Sequence, residues 1–197
     1  MNWVTVTLIL LFVTLPGCMM VREGKVKPPA QWPPQQAQSQ KKSIGLIVAG
    51  ALDPKGLTQM PRMETVESVR RQAFKAYSES GLFSSVVTSG DPTDLRADIS
   101  VIEEEGSGPG VWAYLSALTF AMIPGYVSEQ LIVSTSFSDR QMRPLDSVEQ
   151  KEELGFWMQF FLLFTMPFTE STASLTQSVH YDMHRATIQE ARGKGIF

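Results

Sequence analysis

Two histidines are the residues whose type and spacing come nearest to a metal site. His180 and His184 lie four residues apart in a stretch with helical periodicity, which places both imidazoles on one face of a helix. The sequence has no other histidine, only one cysteine and no glutamate in the position that a zinc-protease motif requires. We therefore interpret the pair as polar residues on the flank of a helix and expect no metal.

Three glutamates at 103–105 could supply paired carboxylates for acid–base catalysis. They come at the end of a strand-like stretch and before the glycines at 106 and 108, which favours a solvated turn. The sequence contains no Gly-x-Ser-x-Gly elbow, no phosphate-binding loop and no dinucleotide-binding motif. The sequence thus predicts no catalytic residue and no cofactor.

The single cysteine, Cys18, ends an apolar run that extends from Trp3 to Leu15. This run is shorter than the roughly 20 residues of a membrane-spanning helix and fits the core of a signal peptide. The sequence Leu15-Pro16-Gly17-Cys18 resembles the lipobox of bacterial lipoproteins. The resemblance implies that residues 1–17 are a signal peptide and that Cys18 carries acyl chains such as palmitate.

Two observations support a different interpretation of the N-terminus. No lysine or arginine precedes the apolar run, whereas Arg22, Lys25 and Lys27 follow it, which is opposite to the usual charge asymmetry of exported proteins. Proline is also unusual within the lipobox. The alternative is a short buried N-terminal helix or strand with an ordinary buried cysteine.

The lipobox resemblance implies a location as well as an anchor. Met19 follows the cysteine where enterobacterial inner-membrane lipoproteins have aspartate, so we expect an outer-membrane lipoprotein that faces the periplasm. Residues 18–42 are rich in proline and glutamine and are typical of a linker, which leaves 43–197 as one periplasmic domain. A net charge of -3 and the lack of a basic stripe argue against nucleic-acid binding.

The periodicity of the domain predicts strands and helices in a mixed order. We expect a buried strand at 43–50, an amphipathic helix at 63–80 that ends at Gly81, and a late helix at 172–192. Further strands are predicted at 82–89, 97–102 and 131–137, with a partner strand at 142–149. This order predicts an α/β (α+β) sandwich, in which a mixed sheet of about four to five strands packs two main helices on one face.

Three stretches of the domain carry a second resemblance. They are 97–101 (ADISV), 115–124 (LSALTFAMIP) and the aromatic segment after the last strand. Their layout is similar to uncharacterised bacterial lipoproteins, to the amino-terminal domain of TolB and to lipoproteins that activate penicillin-binding proteins. The resemblance implies binding rather than chemistry.

Two long segments carry no charge, 106–128 and 155–169. Glycines and prolines shorten the apolar parts, 111–127 and 155–168, so neither is long enough to span a bilayer. Both segments are either core or a surface for a membrane or protein partner. Tryptophan and tyrosine favour membrane interfaces, and the surface hypothesis selects Trp112, Tyr114, Trp157, Phe160 and Phe161.

The function expected from the sequence is a membrane-anchored envelope lipoprotein that binds or assembles other components and is not an enzyme. Its partners would be the bilayer, through acylated Cys18, and an envelope protein. The alternative is an envelope hydrolase whose site has no recognisable motif.

Overall fold

A computed structural model describes residues 17–35, 41–50, 63–88, 90–105, 110–119, 121–159, 162 and 171–197. Within these residues the strands are β1 (Gly17–Arg22), β2 (Ser43–Gly50), β3 (Ser85–Val87), β4 (Leu95–Glu105), β5 (Gly125–Asp139) and β6 (Pro144–Gln159). The helices are α1 (Met63–Glu79), α2 (Val111–Leu118) and α3 (Thr172–Gly193). The strands form one sheet in the order β1-β6-β5-β4-β2-β3.

The predicted fold class is confirmed, since helices accompany a mixed sheet of parallel and antiparallel strands. The described residues contribute six strands to the sheet rather than four to five. The additional strand is β1, which pairs antiparallel with β6. The sequence Gly17–Arg22 has no clear alternation, so composition alone did not reveal it.

Strand β2 lies inside the sheet between two parallel neighbours, β3 and β4. On one face of the strand Ile44, Leu46 and Val48 are buried, whereas on the other face Ile47 is half-buried and Ala49 is exposed. The predicted bounds of the first strand, 43–50, are confirmed, whereas the prediction that it is buried throughout is wrong because its second face is only partly covered.

Helix α1 follows the predicted amphipathic pattern. Its inner stripe includes Val69, Ala73, Ala76 and Tyr77, all closed to solvent. Gly81 after the helix has a φ of 65°, a left-handed conformation that glycine adopts without a Cβ clash. The predicted helix and its C-terminal glycine are therefore confirmed.

A tight turn joins β5 to β6 at the predicted position. The Asp139 carboxylate accepts hydrogen bonds from the backbone N–H groups of Gln141 and Arg143, at 2.9 and 3.0 Å. These bonds and the adjacent Arg143 guanidinium lower the pKa of Asp139. Strand β6 then continues to Gln159, ten residues beyond the predicted strand end, because the second uncharged segment begins as a strand.

Part of the segment interpreted as a linker is bound to the folded chain. The carboxylate of Glu152, which is fully buried, accepts hydrogen bonds from the N–H groups of Lys25 and Val26 at 2.8 and 3.2 Å. Further along, the Arg185 guanidinium lies 5.1 Å from the centre of the Trp32 ring. Val26 and Trp32 supply apolar surface that the overall polarity of residues 18–42 conceals.

The chain divides into two compact units. Unit 1 takes its described residues from Met1–Glu23, Glu105–Glu129 and Glu153–Leu175. Unit 2 takes its described residues from Gly24–Glu104, Gln130–Glu152 and Thr176–Phe197. The aromatic core of unit 2 contains Phe83, Phe137 and Phe197, with Phe83 and Phe197 centred 5.0 Å apart.

Candidate functional site

Helix α2 of unit 1 exposes an apolar side. Its inner face consists of small residues, with Ala113 and Ser116 buried. On the outer side Trp112 is 65% exposed, Tyr114 63% and Leu118 77%. The usual polarity of a surface helix is therefore reversed, because large apolar residues face solvent.

The ends of α2 are set by its flanking residues. The helix begins after Gly110, which provides no capping side chain. It ends at Thr119, whose hydroxyl donates to the Leu115 carbonyl at 2.7 Å. Ala121 then adopts a left-handed φ of 60°, and its N–H donates to the Ser116 carbonyl at 2.7 Å. The apolar helix is thus a short, well-terminated element.

Unit 1 holds most of the exposed large apolar side chains among the described residues. Ten such side chains are exposed, and six of them belong to unit 1. We call these six the apolar surface: Val111, Trp112, Tyr114, Leu118, Met122 and Trp157. A concentration of this kind is typical of a binding surface for a partner or a membrane.

The two uncharged segments meet at Gly125, the first residue of β5. A Cβ at this position would lie 2.7 Å from the Ser116 Cβ and 3.2 Å from the Met158 Cε. Helix α2, in the first segment, and the end of β6, in the second, thus both approach the same glycine. Only a residue without a side chain permits this close approach.

Tyr126 connects the aromatic end of β6 to an acidic residue. Its ring lies 4.9 Å from the Trp157 ring, and its hydroxyl donates to the Glu23 carboxylate at 2.7 Å. This hydrogen bond is the main cause that raises the pKa of Tyr126, and burial adds to it. The Tyr126 side chain crosses Gly155, where a Cβ would lie 2.7 Å from the ring.

Cys18 is the second residue of β1. Its backbone pairs with Met158, and the next residue, Met19, pairs with Trp157. The proposed attachment point for lipid is therefore one strand away from an exposed tryptophan of the apolar surface. No signal in the sequence indicated this pairing, which joins residues about 140 positions apart.

The structure describes three of the five predicted surface residues. Trp112, Tyr114 and Trp157 are all exposed, the last to 40%. Phe160 and Phe161 lie outside the described residues. The side chain of Cys18 also lies outside the described part of the structure, although its backbone belongs to β1.

The interpretation of His180 and His184 as polar flank residues is wrong, because both side chains are fully buried. Burial lowers the pKa of His180 to about 4 and that of His184 to about 3. His180 Nδ1 lies 3.0 Å from the hydroxyl of Ser68, a residue of α1. The pair therefore belongs to the contact between α1 and α3.

The Ser68–His180 hydrogen bond is the arrangement closest to a catalytic dyad in the described residues. Both side chains are buried, and Nε2 of His180 has no hydrogen-bond partner in the described part of the chain. An external substrate cannot reach this serine, so the pair is a core feature. Within the same residues no group of three or more histidine, cysteine, aspartate or glutamate side chains is placed to hold a metal ion.

The glutamates at 103–105 are not a turn as expected. They are the last three residues of β4, which runs to Glu105.

Unit 2 contains a polar cleft with a volume of about 120 Å³. Its walls include Gly45, Thr93, Arg96 and Asp139. Two of its charged groups form ion pairs, since Arg96 binds Asp98 and Asp139 binds Arg143. The cleft is small beside the roughly 300 to 1,000 Å³ that ligand pockets usually have.

The described helices include none that is both long enough and apolar enough to cross a bilayer.

Comparisons with known proteins give no family for this chain. No family model matches it, and no curated protein matches it significantly. Among solved structures, the PelC dodecamer from Paraburkholderia phytofirmans is 8% identical, with a TM-score of 0.37 over 88% of this chain and 98% of that chain.

Two other solved structures give similar values. A minor lipoprotein from Acinetobacter baumannii is 12% identical, with a TM-score of 0.32 over 78% of this chain and 87% of that one. A homolog of a neuraminyllactose-binding hemagglutinin from Helicobacter pylori is 11% identical, with a TM-score of 0.37 over 85% and 91%. Likeness at this level assigns neither a family nor a function, so the resemblance to TolB and to activators of penicillin-binding proteins stays an expectation from the sequence.

Proposed function

We propose that the protein is a non-catalytic component of the bacterial cell envelope, anchored by acylated Cys18, whose apolar surface binds the bilayer that holds the anchor. The observation that carries this proposal is the exposure of Val111, Trp112, Tyr114 and Leu118 on α2. These side chains are costly to expose, since burying one of them fully contributes about 1.5 to 3 kcal/mol. Partial burial of several in a membrane interface would contribute several times less per residue and still favour binding.

The residue types of the apolar surface suit an interface better than a hydrocarbon core. Trp112, Tyr114 and Trp157 have apolar rings with a polar atom at one edge, which is the chemistry found at the headgroup level of bilayers. Residues 110–128 contain no charged side chain, so burial in the interface requires no desolvation of an ion. This composition supports a helix that lies on the membrane.

The position of Cys18 in β1 supports the same proposal. Acyl chains on this residue would enter the bilayer close to Trp157, because Met19 and Trp157 are paired. Two acyl chains or more bind a membrane stably, and each buried methylene contributes about 0.8 kcal/mol. Anchor and apolar surface would then act on the same leaflet.

The anchor is tested by expressing the wild-type chain beside Cys18→Ser and measuring intact mass and membrane fractionation. We expect a mature wild-type species that begins at Cys18 with added acyl mass, and a variant without acyl mass. Wild-type protein that retains residues 1–17 and a free thiol would contradict the anchor.

The apolar surface is tested separately in the Cys18→Ser background. The double change Trp112→Ser and Tyr114→Ser should leave the unfolding midpoint nearly unchanged, because both side chains are exposed, and should reduce binding to phosphatidylcholine vesicles. Phe74→Ser is the matched control, since Phe74 is an exposed aromatic residue on helix α1 of unit 2. Equal vesicle binding by both variants would contradict a membrane role and favour an envelope protein as the partner.

A further inference from the structure

We propose that the apolar surface selects zwitterionic phospholipids and disfavours anionic ones. This inference rests on the proposed function and adds the chemical class of lipid. It follows from the charges that lie around the surface rather than from the surface itself.

The described residues of unit 1 carry little positive charge. They include one arginine, Arg22, against four glutamates: Glu23, Glu105, Glu129 and Glu153. Helix α2 has no acidic residue in its first turn and no basic residue in its last turn. Membrane-binding segments that depend on anionic lipid have the opposite composition, with clusters of lysine and arginine.

Two of these glutamates lie near Tyr126, the residue whose ring contacts Trp157 of the apolar surface. Glu23 accepts the hydrogen bond from Tyr126, whose ring contacts the Trp157 ring. The backbone N–H of Glu23 donates to the Glu153 carbonyl at 3.0 Å, which holds the two residues together. Besides the Glu23 hydrogen bond and burial, the negative charges of Glu23 and Glu153 raise the pKa of Tyr126.

This arrangement distinguishes between headgroups. A phosphatidylglycerol headgroup carries a net negative charge and would be repelled by Glu23 and Glu153. A phosphatidylcholine or phosphatidylethanolamine headgroup is neutral overall and ends in an ammonium group. Carboxylates attract that ammonium group, and the faces of tryptophan and tyrosine do so as well.

The experiment uses the full chain with Cys18→Ser and two kinds of vesicle, phosphatidylcholine alone and phosphatidylcholine partly replaced by phosphatidylglycerol. For each kind of vesicle we compare the binding that is lost in the double variant Trp112→Ser with Tyr114→Ser. Any binding by residues 1–17 is common to all variants and cancels in this difference. We expect it to be at least about fivefold weaker on the anionic vesicles, the effect of about one net charge near such a membrane. The difference should shrink at 1 M salt, where the Debye length is about 3 Å.

A second variant tests the cause of the preference. Glu23→Gln with Glu153→Gln should strengthen binding to the anionic vesicles and weaken binding to phosphatidylcholine, because the ammonium group loses the carboxylates that attract it. The inference would be overturned if the protein with Glu23 and Glu153 intact bound anionic vesicles more strongly than phosphatidylcholine. It would also be overturned if the glutamine variant left the ratio of binding between the two kinds of vesicle unchanged. In both cases the membrane role would stand. No surface-dependent binding to either vesicle would instead remove the proposed function.

Discussion

At the scale of single residues, Gly125 determines how closely α2 can approach the sheet strands of unit 1. Gly125→Ala would place a Cβ 2.7 Å from the Ser116 Cβ, an atom next to the helix backbone that cannot turn away. We expect unfolding in urea to show a loss of about 1 to 3 kcal/mol, the usual effect of overpacking. Gly90→Ala is the control, because among the described residues, its chain neighbours apart, no atom lies within 4 Å of its Cβ position. Equal stability of the two variants would show that α2 is not packed on Gly125.

The buried histidines make stability dependent on pH. Their folded pKa values, about 4 and about 3, lie below the ordinary value of 6.5. Between the folded pKa values and 6.5, the unfolded chain binds protons that the folded chain does not. The contribution of the neutral histidines to the free energy of unfolding is therefore complete above pH 6.5 and decreases as the pH falls. The expected loss between pH 7 and pH 5 is about 2 kcal/mol for each histidine.

Urea unfolding at pH 7 and pH 5 measures this loss. His184→Phe keeps an aromatic ring at this buried position and removes one titratable group, so it should remove about half of the loss. A pH dependence identical to that of the wild type would show that His184 is not the group that titrates.

The sequence could not distinguish these histidines from surface residues. A polar side chain at helical spacing beside Leu175, Val179 and Met183 is usually placed on the flank of the apolar stripe. Burial here depends on α1, whose Ser68 provides the partner for His180 across 112 positions of the chain. Periodicity within one helix contains no information about the facing helix.

At the scale of elements, the Glu152 carboxylate holds the start of the segment between β1 and β2. The two oxygens of Glu152 each accept one hydrogen bond, from the N–H groups of Lys25 and Val26. In Glu152→Gln only one oxygen would remain, and the side-chain NH₂ group would face the second N–H group. We expect a loss of about 1 to 3 kcal/mol in urea unfolding and faster hydrogen exchange at Lys25 and Val26. Glu149→Gln on the same strand is the control, since its carboxylate is exposed and binds other groups.

Unchanged exchange at both amides in Glu152→Gln would mean that Val26 is held by its side chain alone. That result would show that apolar packing, and not the Glu152 carboxylate, holds this part of the chain.

Elements with a strong local pattern were predictable, whereas those fixed by distant partners were not. β2 and α1 repeat their apolar residues at the period of a buried strand and of an amphipathic helix, and both were placed correctly. β1 depends on β6, and the uncharged run after residue 155 has no period that separates helix from strand. The exposed rings of α2 were named from their residue types, while their exposure required the structure.

At the scale of the whole molecule, the two units should respond differently to a membrane. With phosphatidylcholine vesicles, hydrogen exchange should slow in residues 110–128 of unit 1, because binding covers α2 and excludes water. Exchange in α1 and α3 should stay the same, since their buried faces are already protected. Mass spectrometry of peptides from both units measures the two responses in one sample.

Protection that appears equally in α1 would indicate that vesicles stabilise the whole fold. Protection in α1 with none in α2 would show that the vesicles contact unit 2, which would contradict the proposed membrane surface on unit 1.

The position of Cys18 inside β1 also affects the entropy of membrane binding. A flexible tether of about 24 residues would let its domain explore roughly 25 to 30 Å around the anchor, which dilutes any weak contact. With the lipid on a residue of β1, the apolar surface would be held close to the leaflet, because Trp157 lies on the neighbouring strand. Its effective concentration at the membrane would then be high. A contact too weak to be detected between free molecules would then be occupied most of the time.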